Sequence, residues 1–176
     1  MIKSTNGMTY FDLFEIPVQL SVDRAGLPRK YFELSRKFHP DFHANSSEES
    51  QAESLEKTAL LNKAFRTFQD PDETIKYVLK LKGLLEEEEK YELPPAFLME
   101  VMEINESMMD ADDPGTRAEI ETRLSQLEHE IYDPVRAVVE GYREDLHSRE
   151  DLLRVKAYYY QKKYLDRIRQ SLRAGL

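Results

Sequence analysis

The sequence predicts an all-α protein: an antiparallel helical hairpin with two short helices, followed by an antiparallel three-helix bundle. Three observations carry this. Charged residues make up 34% and hydrophobic residues 40% of the 176 residues, with only six glycines, a composition suited to long helices. Apolar residues recur at three- and four-residue spacing through most of the chain, which is the period of one helical face. Prolines and capping residues then divide the pattern into segments of helical length. A chain of this size can bury a real core as one large or two small domains.

The elements follow in order. Tyr10-Phe11-Asp12-Leu13-Phe14-Glu15-Ile16-Pro17 is a short apolar segment closed by proline, one or two helical turns. Asp23 reads as the N-cap of a helix whose apolar residues Leu27, Tyr31, Leu34 and Phe38 keep a 4-3-4 spacing. Gly26 and Pro28 fit its first turn poorly, which predicts an irregular first turn or a later start. After a loop over 39–45, Ser46 with Glu49 has the pattern of a capping box. It opens a second long helix through Ala52, Leu55, Ala59, Leu61, Phe65 and Phe68 to about Gln69. Asp70-Pro71 punctuates, and Ile75, Val78, Leu79 and Leu81 mark a shorter helix ending by Gly83.

Residues 86–89 are four consecutive acids, read as part of a solvated linker over 84–92. Beyond it three helical segments span about 96–109, 116–146 and 150–172. The middle one keeps its stripe (Ile120, Leu124, Leu127, Ile131, Val135, Val138, Tyr142, Leu146) through Pro134. That proline is read as a kink, with a break as the alternative. Short connections make these three an antiparallel bundle. The organisation predicted is thus a domain over 1–83, an acidic linker over 84–92 and a second domain over 93–176.

Net charge is −9, which argues against a general nucleic-acid or anionic-membrane binder, because those need a basic face. There are no cysteines, hence no disulfide framework, thiolate metal site or thiol nucleophile. The first ten residues lack a signal-peptide pattern, and no apolar run approaches the roughly 20 residues of a membrane span. The expectation is a cytoplasmic protein with neither a membrane nor a nucleic-acid partner. Tyr158-Tyr159-Tyr160 beside Lys162, Lys163, Arg167, Arg169 and Arg173 has the ingredients of a base-stacking platform. Consecutive helical residues point about 100° apart, so packing against the bundle with a solvated basic face is the better reading.

The motif with the most functional content is His39-Pro40-Asp41. Proline lacks an N–H and restricts the residue before it, so the tripeptide must sit in a tight loop. Arg24, Arg29, Lys30, Arg36 and Lys37 precede it and meet a single acid, Glu33, between positions 24 and 37. A basic helix in an acidic chain suits docking on an acidic partner. His39 and His43 with Asp41 between them resemble a metal site only loosely. Pro40 prevents the helix that would align them, and His129 and His147 lie far off. A His/Asp acid–base pair is equally unsupported, with no Gly-rich loop, nucleophile elbow or converging carboxylates. The expectation is a non-enzyme without metal or cofactor.

At this point the sequence resembles the J domain, the module that activates ATP-hydrolysing chaperones of the heat-shock 70 class. The resemblance covers about residues 8 to 83. It rests on the aromatic start Tyr10-Phe11-Asp12-Leu13-Phe14, the basic helix, the His39-Pro40-Asp41 loop, and Leu61-Asn62-Lys63-Ala64-Phe65-Arg66-Thr67-Phe68 followed by Asp70-Pro71, with Tyr77 beyond. It implies that His39, Pro40 and Asp41 contact the chaperone's ATPase domain, with Arg29, Lys30, Arg36 and Lys37 supplying electrostatic attraction. The chain would speed ATP hydrolysis by binding better to the hydrolysis-competent arrangement of its partner.

The segment from Ala96 to Asp110 carries the second clue. Phe97, Val101, Ile104 and Met108 suffice for a core stripe. Leu98, Met102 and Met109 form another beside it, and Met99 extends the excess. Four of six methionines fall within these residues, and flexible thioethers suit a surface that repacks against a partner. Glu103, Glu106 and Asp110 rim it with acid. From periodicity alone, a broad core stripe packed on two sides accounts for the pattern equally well.

Here the chain is similar to the HscB family, the J-domain co-chaperones of iron–sulfur cluster assembly. Phe97-Leu98-Met99-Glu100 with Met102-Glu103, and Tyr164-Leu165-Asp166-Arg167-Ile168 in the last helix, match its second-domain signature. Met102 stands for a common leucine, Tyr164 for a common phenylalanine, and Asp110 for a glutamate. The resemblance implies two partners: a heat-shock 70-class ATPase chaperone (HscA-like) and the iron–sulfur cluster scaffold protein (IscU-like). It implies scaffold contacts at Leu98, Met99, Met102, Glu103, Glu106, Asp110 and Tyr164. A chain without thiols is itself poorly equipped to hold a cluster.

Overall fold

The structure, a computed structural model, describes residues 7–39, 41 and 47–175. All regular structure among them is helical. Two compact units emerge: one reaches Gly83 and takes in Gly141–Leu146, and the other comprises Leu84–Glu140 and the chain from His147 onward.

In the first unit, α1 (Tyr10–Phe14) is only five residues long and owes its existence to its cap and its rings. Thr9 accepts the Asp12 N–H, and the Asp12 carboxylate accepts the Thr9 N–H in return. The Thr9 N–H, and with it the Thr9 hydroxyl, donates to the Asp12 carboxyl and holds it below the usual carboxylate range. Phe11 and Phe14 pack on Phe68 of α3 (Glu48–Gln69) with ring centroids 4.9 and 5.3 Å away. Tyr10 stacks on Tyr77 of α4 (Pro71–Leu81) at 4.2 Å and donates its backbone N–H to Tyr77 Oη at 2.9 Å. Each such aromatic pair adds about 0.5–1.5 kcal/mol beyond its buried area, so the cluster fastens both short helices to the hairpin of α2 (Leu27–Phe38) and α3.

One local expectation is met here and two change. Helix α2 makes the later start that Gly26 and Pro28 predict, at Leu27 rather than after Asp23, with Pro28 in its first turn where no N–H is needed. The Asp23 carboxylate instead accepts the Ala25 N–H. The cap of α3 is Ser47, which accepts the Ser50 N–H; Ser46 lies outside the described residues. The stripe of α3 also begins on other residues: Ala52, Leu55 and Ala59 are exposed, whereas Ser54 is buried. The inward stripe runs 54, 58, 61, 65 and 68: Ser54 and Thr58 reach the Phe38 carbonyl of α2, Phe65 stacks on Tyr31 of α2, and Phe68 receives the rings of α1.

The second unit packs α5 (Pro95–Met109), α6 (Pro114–Tyr132) and α8 (Arg149–Ala174) around one core. Its centre is Phe97, Val101 and Ile104 from α5, Leu124 from α6, and Leu165 and Ile168 from α8. Ser148 and Asp151 form a capping box at the start of α8, and Gly175 closes it at φ 75°, a conformation glycine adopts without strain. Pro134 does more than kink the middle segment. Helix α6 gives way to a 3₁₀ turn (Asp133–Val135) and then to α7 (Arg136–Gly141), because proline removes a helical N–H. Arg154 donates to the Pro134 carbonyl at 2.6 Å. The segment ends at Gly141, and Leu146 is exposed.

The 84–92 stretch is not uniformly solvated. Leu84 and Leu85 are buried. Lys156, only 12% exposed at its side chain, needs a counter-charge, and Glu89 supplies it at 2.5 Å. Tyr158 and Tyr159 are buried, and Tyr160 stacks on Tyr91 at 4.5 Å; packing takes up all three.

Candidate functional site

Two outward faces, one on each unit, collect the residues singled out from the sequence. The first is the solvent side of α2. Arg29, Phe32, Arg36 and Lys37 are exposed there, while Leu27 and Leu34 are buried on the opposite side. Arg29 pairs loosely with Glu33 at 3.5 Å. Lys30 donates to Glu15 at 2.8 Å and holds that carboxyl below its ordinary range, so it contributes charge from a fixed position. Arg36 and Lys37 occupy the last turn, where cations complement the helix dipole. Arg24 is exposed in the turn before the helix.

At the end of α2 the His39 Nδ1 accepts the Asp41 N–H at 3.2 Å. Asp41 Oδ2 lies 3.6 Å from the same nitrogen, beyond hydrogen-bond distance. The tautomer that fits carries its proton on Nε2, and the Asp41 carboxylate is 88% exposed. Imidazole and carboxylate are thus brought together; Pro40, the third member of the motif, and His43 lie outside the described residues.

Two features of this face escaped the sequence reading. Ser54 of α3 donates to the Phe38 carbonyl, and the Thr58 hydroxyl shares its one hydrogen between that carbonyl at 3.1 Å and the Ser54 carbonyl at 2.9 Å. This double clamp holds the backbone one residue before His39. Its signal was present as the 54-58-61-65-68 spacing, which a search for apolar residues alone passes over. The second is Phe32, 69% exposed amid the cations.

The second face belongs to α5. Phe97, Val101 and Ile104 are buried, and Met108 is packed partly against them. Leu98 (38% exposed), Met99 (66%), Met102 (60%) and Met109 (83%) face outward. The second stripe is therefore surface and not a second core contact. Glu103, Glu106 and Asp110 flank it, all exposed. Beside them a recess of about 440 Å³ opens between α5 and α6, where Glu103, Asp110 and Glu119 outnumber Arg123. That guanidinium is tied to Glu100, so the recess is acidic. Tyr164 sits at the edge, half-buried, its ring edge-on to Phe97 at 6.3 Å. Among the described residues no helix is long and apolar enough to cross a membrane.

Comparison with known proteins identifies the family. The family model described as the HSCB C-terminal oligomerisation domain matches residues 93–173. A co-chaperone protein HscB homolog of Photobacterium profundum is 33% identical over 147 residues, covering 83% of this chain and 80% of that protein. The human iron-sulfur cluster co-chaperone protein HscB is 32% identical over 151 residues, 85% of this chain and 63% of that one. The crystal structure of human co-chaperone protein HscB superposes with a TM-score of 0.77 at 28% identity, covering 97% of this chain and 83% of that one. On these grounds the chain belongs to the HscB family of co-chaperones.

Proposed function

We propose that this co-chaperone is a two-site adaptor in iron–sulfur cluster assembly. The α2 face, through His39, Pro40, Asp41, Arg29, Lys30, Arg36 and Lys37, docks on a heat-shock 70-class ATPase (HscA-like) and raises its rate of ATP hydrolysis. The α5 face, through Leu98, Met99, Met102, Glu103, Glu106 and Asp110 with Tyr164 at its edge, holds the cluster scaffold protein (IscU-like) and delivers it. The domain over 1–83 serves the first role and that over 93–176 the second.

The observation that carries the reading is the row of thioethers left in solvent on α5 although the bundle core beneath is already filled. Exposed methionines beside carboxylates suit a partner with an apolar surface rimmed by cations. On α2 the imidazole and carboxylate act as a docking tip. They shift the partner's population toward its hydrolysis-competent arrangement, and no bond is made or broken on this chain.

The test is the chaperone's ATPase rate with this chain and the scaffold protein, alone and together. Synergy is expected, and its absence would end the adaptor reading. His39→Gln should abolish the stimulation while scaffold binding persists. Leu98→Ser should do the reverse. The matching family is described as an oligomerisation domain, which favours a second reading in which the α5 face meets another copy. Sedimentation of the chain alone separates the two: a dimer that Leu98→Ser dissociates supports the second.

A further inference from the structure

Tyr164 has a second neighbourhood besides Phe97. It lines a recess of about 180 Å³ with Tyr91, Leu93, Tyr160, Lys163, Arg167 and Glu89. The aromatic wall is fixed, since Tyr91 and Tyr160 stack with their planes 4° apart. The acid is already engaged, because Glu89 accepts from Lys156 at 2.5 Å and from Tyr160 Oη at 3.2 Å. Lys163 and Arg167 stand one helical turn apart, exposed. Neither has an ion-pair partner among the described residues, whereas nearby Lys162 is held by Asp166 and Arg169 by Glu121 and Glu128. The free charge of the recess is therefore positive, beside an aromatic and aliphatic lining.

We propose that this recess receives an acidic side chain of the cluster scaffold protein, as a second point of contact continuous with the α5 stripe through Tyr164. The inference rests on the scaffold-binding reading of α5 and deepens it. The surface then carries anions on one flank (Glu103, Glu106, Asp110), an apolar strip in the middle, and two cations on the other flank. A partner with the complementary order docks in one orientation only, since the reversed pose sets like charges against each other. A carboxylate on a short stem fits the space and meets both cations; a basic side chain is repelled.

The experiment is titration calorimetry of the full chain against the scaffold protein at low and physiological salt. Lys163→Glu with Arg167→Glu should weaken binding by about tenfold at low salt. The neutral pair Lys163→Gln with Arg167→Gln should weaken it less, and both should flatten the salt dependence without altering the thermal melt. Unchanged affinity and salt dependence in the reversed pair, with Leu98→Ser still losing the scaffold, would overturn this inference and leave the α5 reading standing. If Leu98→Ser also binds normally, the α5 reading falls with it. A reversed pair that alters sedimentation of the chain alone, with scaffold affinity intact, would assign the recess to contacts between copies and equally overturn the proposal.

Discussion

The solvent side of α2 and the solvent side of α5 are built alike and charged oppositely. Each belongs to a helix whose other side is committed to a core, Leu27 and Leu34 in one case and Phe97, Val101 and Ile104 in the other. On α2 the free side is cationic with one exposed ring, Phe32; on α5 it is thioether-rich and acidic. The net charge of −9 conceals this division. Exposed charges act over about 10 Å, are screened by salt, and mainly accelerate encounter; desolvated apolar side chains mainly slow dissociation. The first face is thus suited to a rapid, salt-sensitive engagement and the second to a longer-lived grip. Each also repels the type of surface that the other attracts.

The sharpest way to break the comparison is at the base of the His39 turn. Removing both hydroxyls with Ser54→Ala and Thr58→Ala strips the Phe38 carbonyl of two donors. Losing the net worth of a hydrogen bond at this half-buried carbonyl costs about 0.5–1.5 kcal/mol, which chemical denaturation will read. The chaperone's stimulated rate should drop by more than the lost stability explains, while scaffold affinity is kept. A variant of equal stability but normal stimulation would show that the clamp supports the fold and does not position the turn.

A smaller effect is expected at Phe32. Truncating an exposed residue changes stability by no more than about 0.5 kcal/mol. An aromatic anchor within an interface is worth about 1–2 kcal/mol. Phe32→Ser should therefore leave the melt in place and raise the half-maximal concentration for ATPase stimulation several-fold, with the maximal rate unchanged. If the half-maximal concentration stays put and only the salt dependence matters, the α2 face works by charge alone.

How much of this could be read from the chain differs between the faces in a way that follows from their physics. The basic helix and His39-Pro40-Asp41 are local features, so the sequence displays them directly. On α5 two apolar stripes are equally visible, but which one is buried depends on neighbours far away in sequence, here Leu124, Leu165 and Ile168. The α3 error has the same origin. Ser54 is buried because a carbonyl on another helix needs its hydroxyl, a pairing that hydrophobicity cannot register. The 84–92 segment looked solvated because four acids in a row usually are, and only the approach of Lys156 from α8 makes Glu89 structural. Helix existence and order were legible; the choice of face was decided by tertiary partners.

The smallest effect concerns the two carboxylates that anchor the faces, and it separates them by pH. Glu15 beside Lys30 and Glu89 beside Lys156 are both held below the ordinary carboxylate range by the hydrogen bond from the lysine. Each contributes stability that is present above the ordinary carboxylate pKa and lost as pH falls through the lowered folded value. Only Glu89 has an alkaline counterpart. Burial, and then the Glu89 charge, pushes the Tyr160 phenol up to about 12. Stability from the neutral phenol is present below the ordinary tyrosine pKa near 10 and lost as pH rises through the folded value. Glu89→Gln should lower the Tyr160 pKa without restoring it fully, since burial remains; carbon-13 labelled tyrosine followed by NMR during an alkaline titration measures it. A phenol that titrates identically in Glu89→Gln would mean burial alone sets it. The Lys156–Glu89–Tyr160 chain would then not be what fixes the aromatic wall beside Lys163 and Arg167.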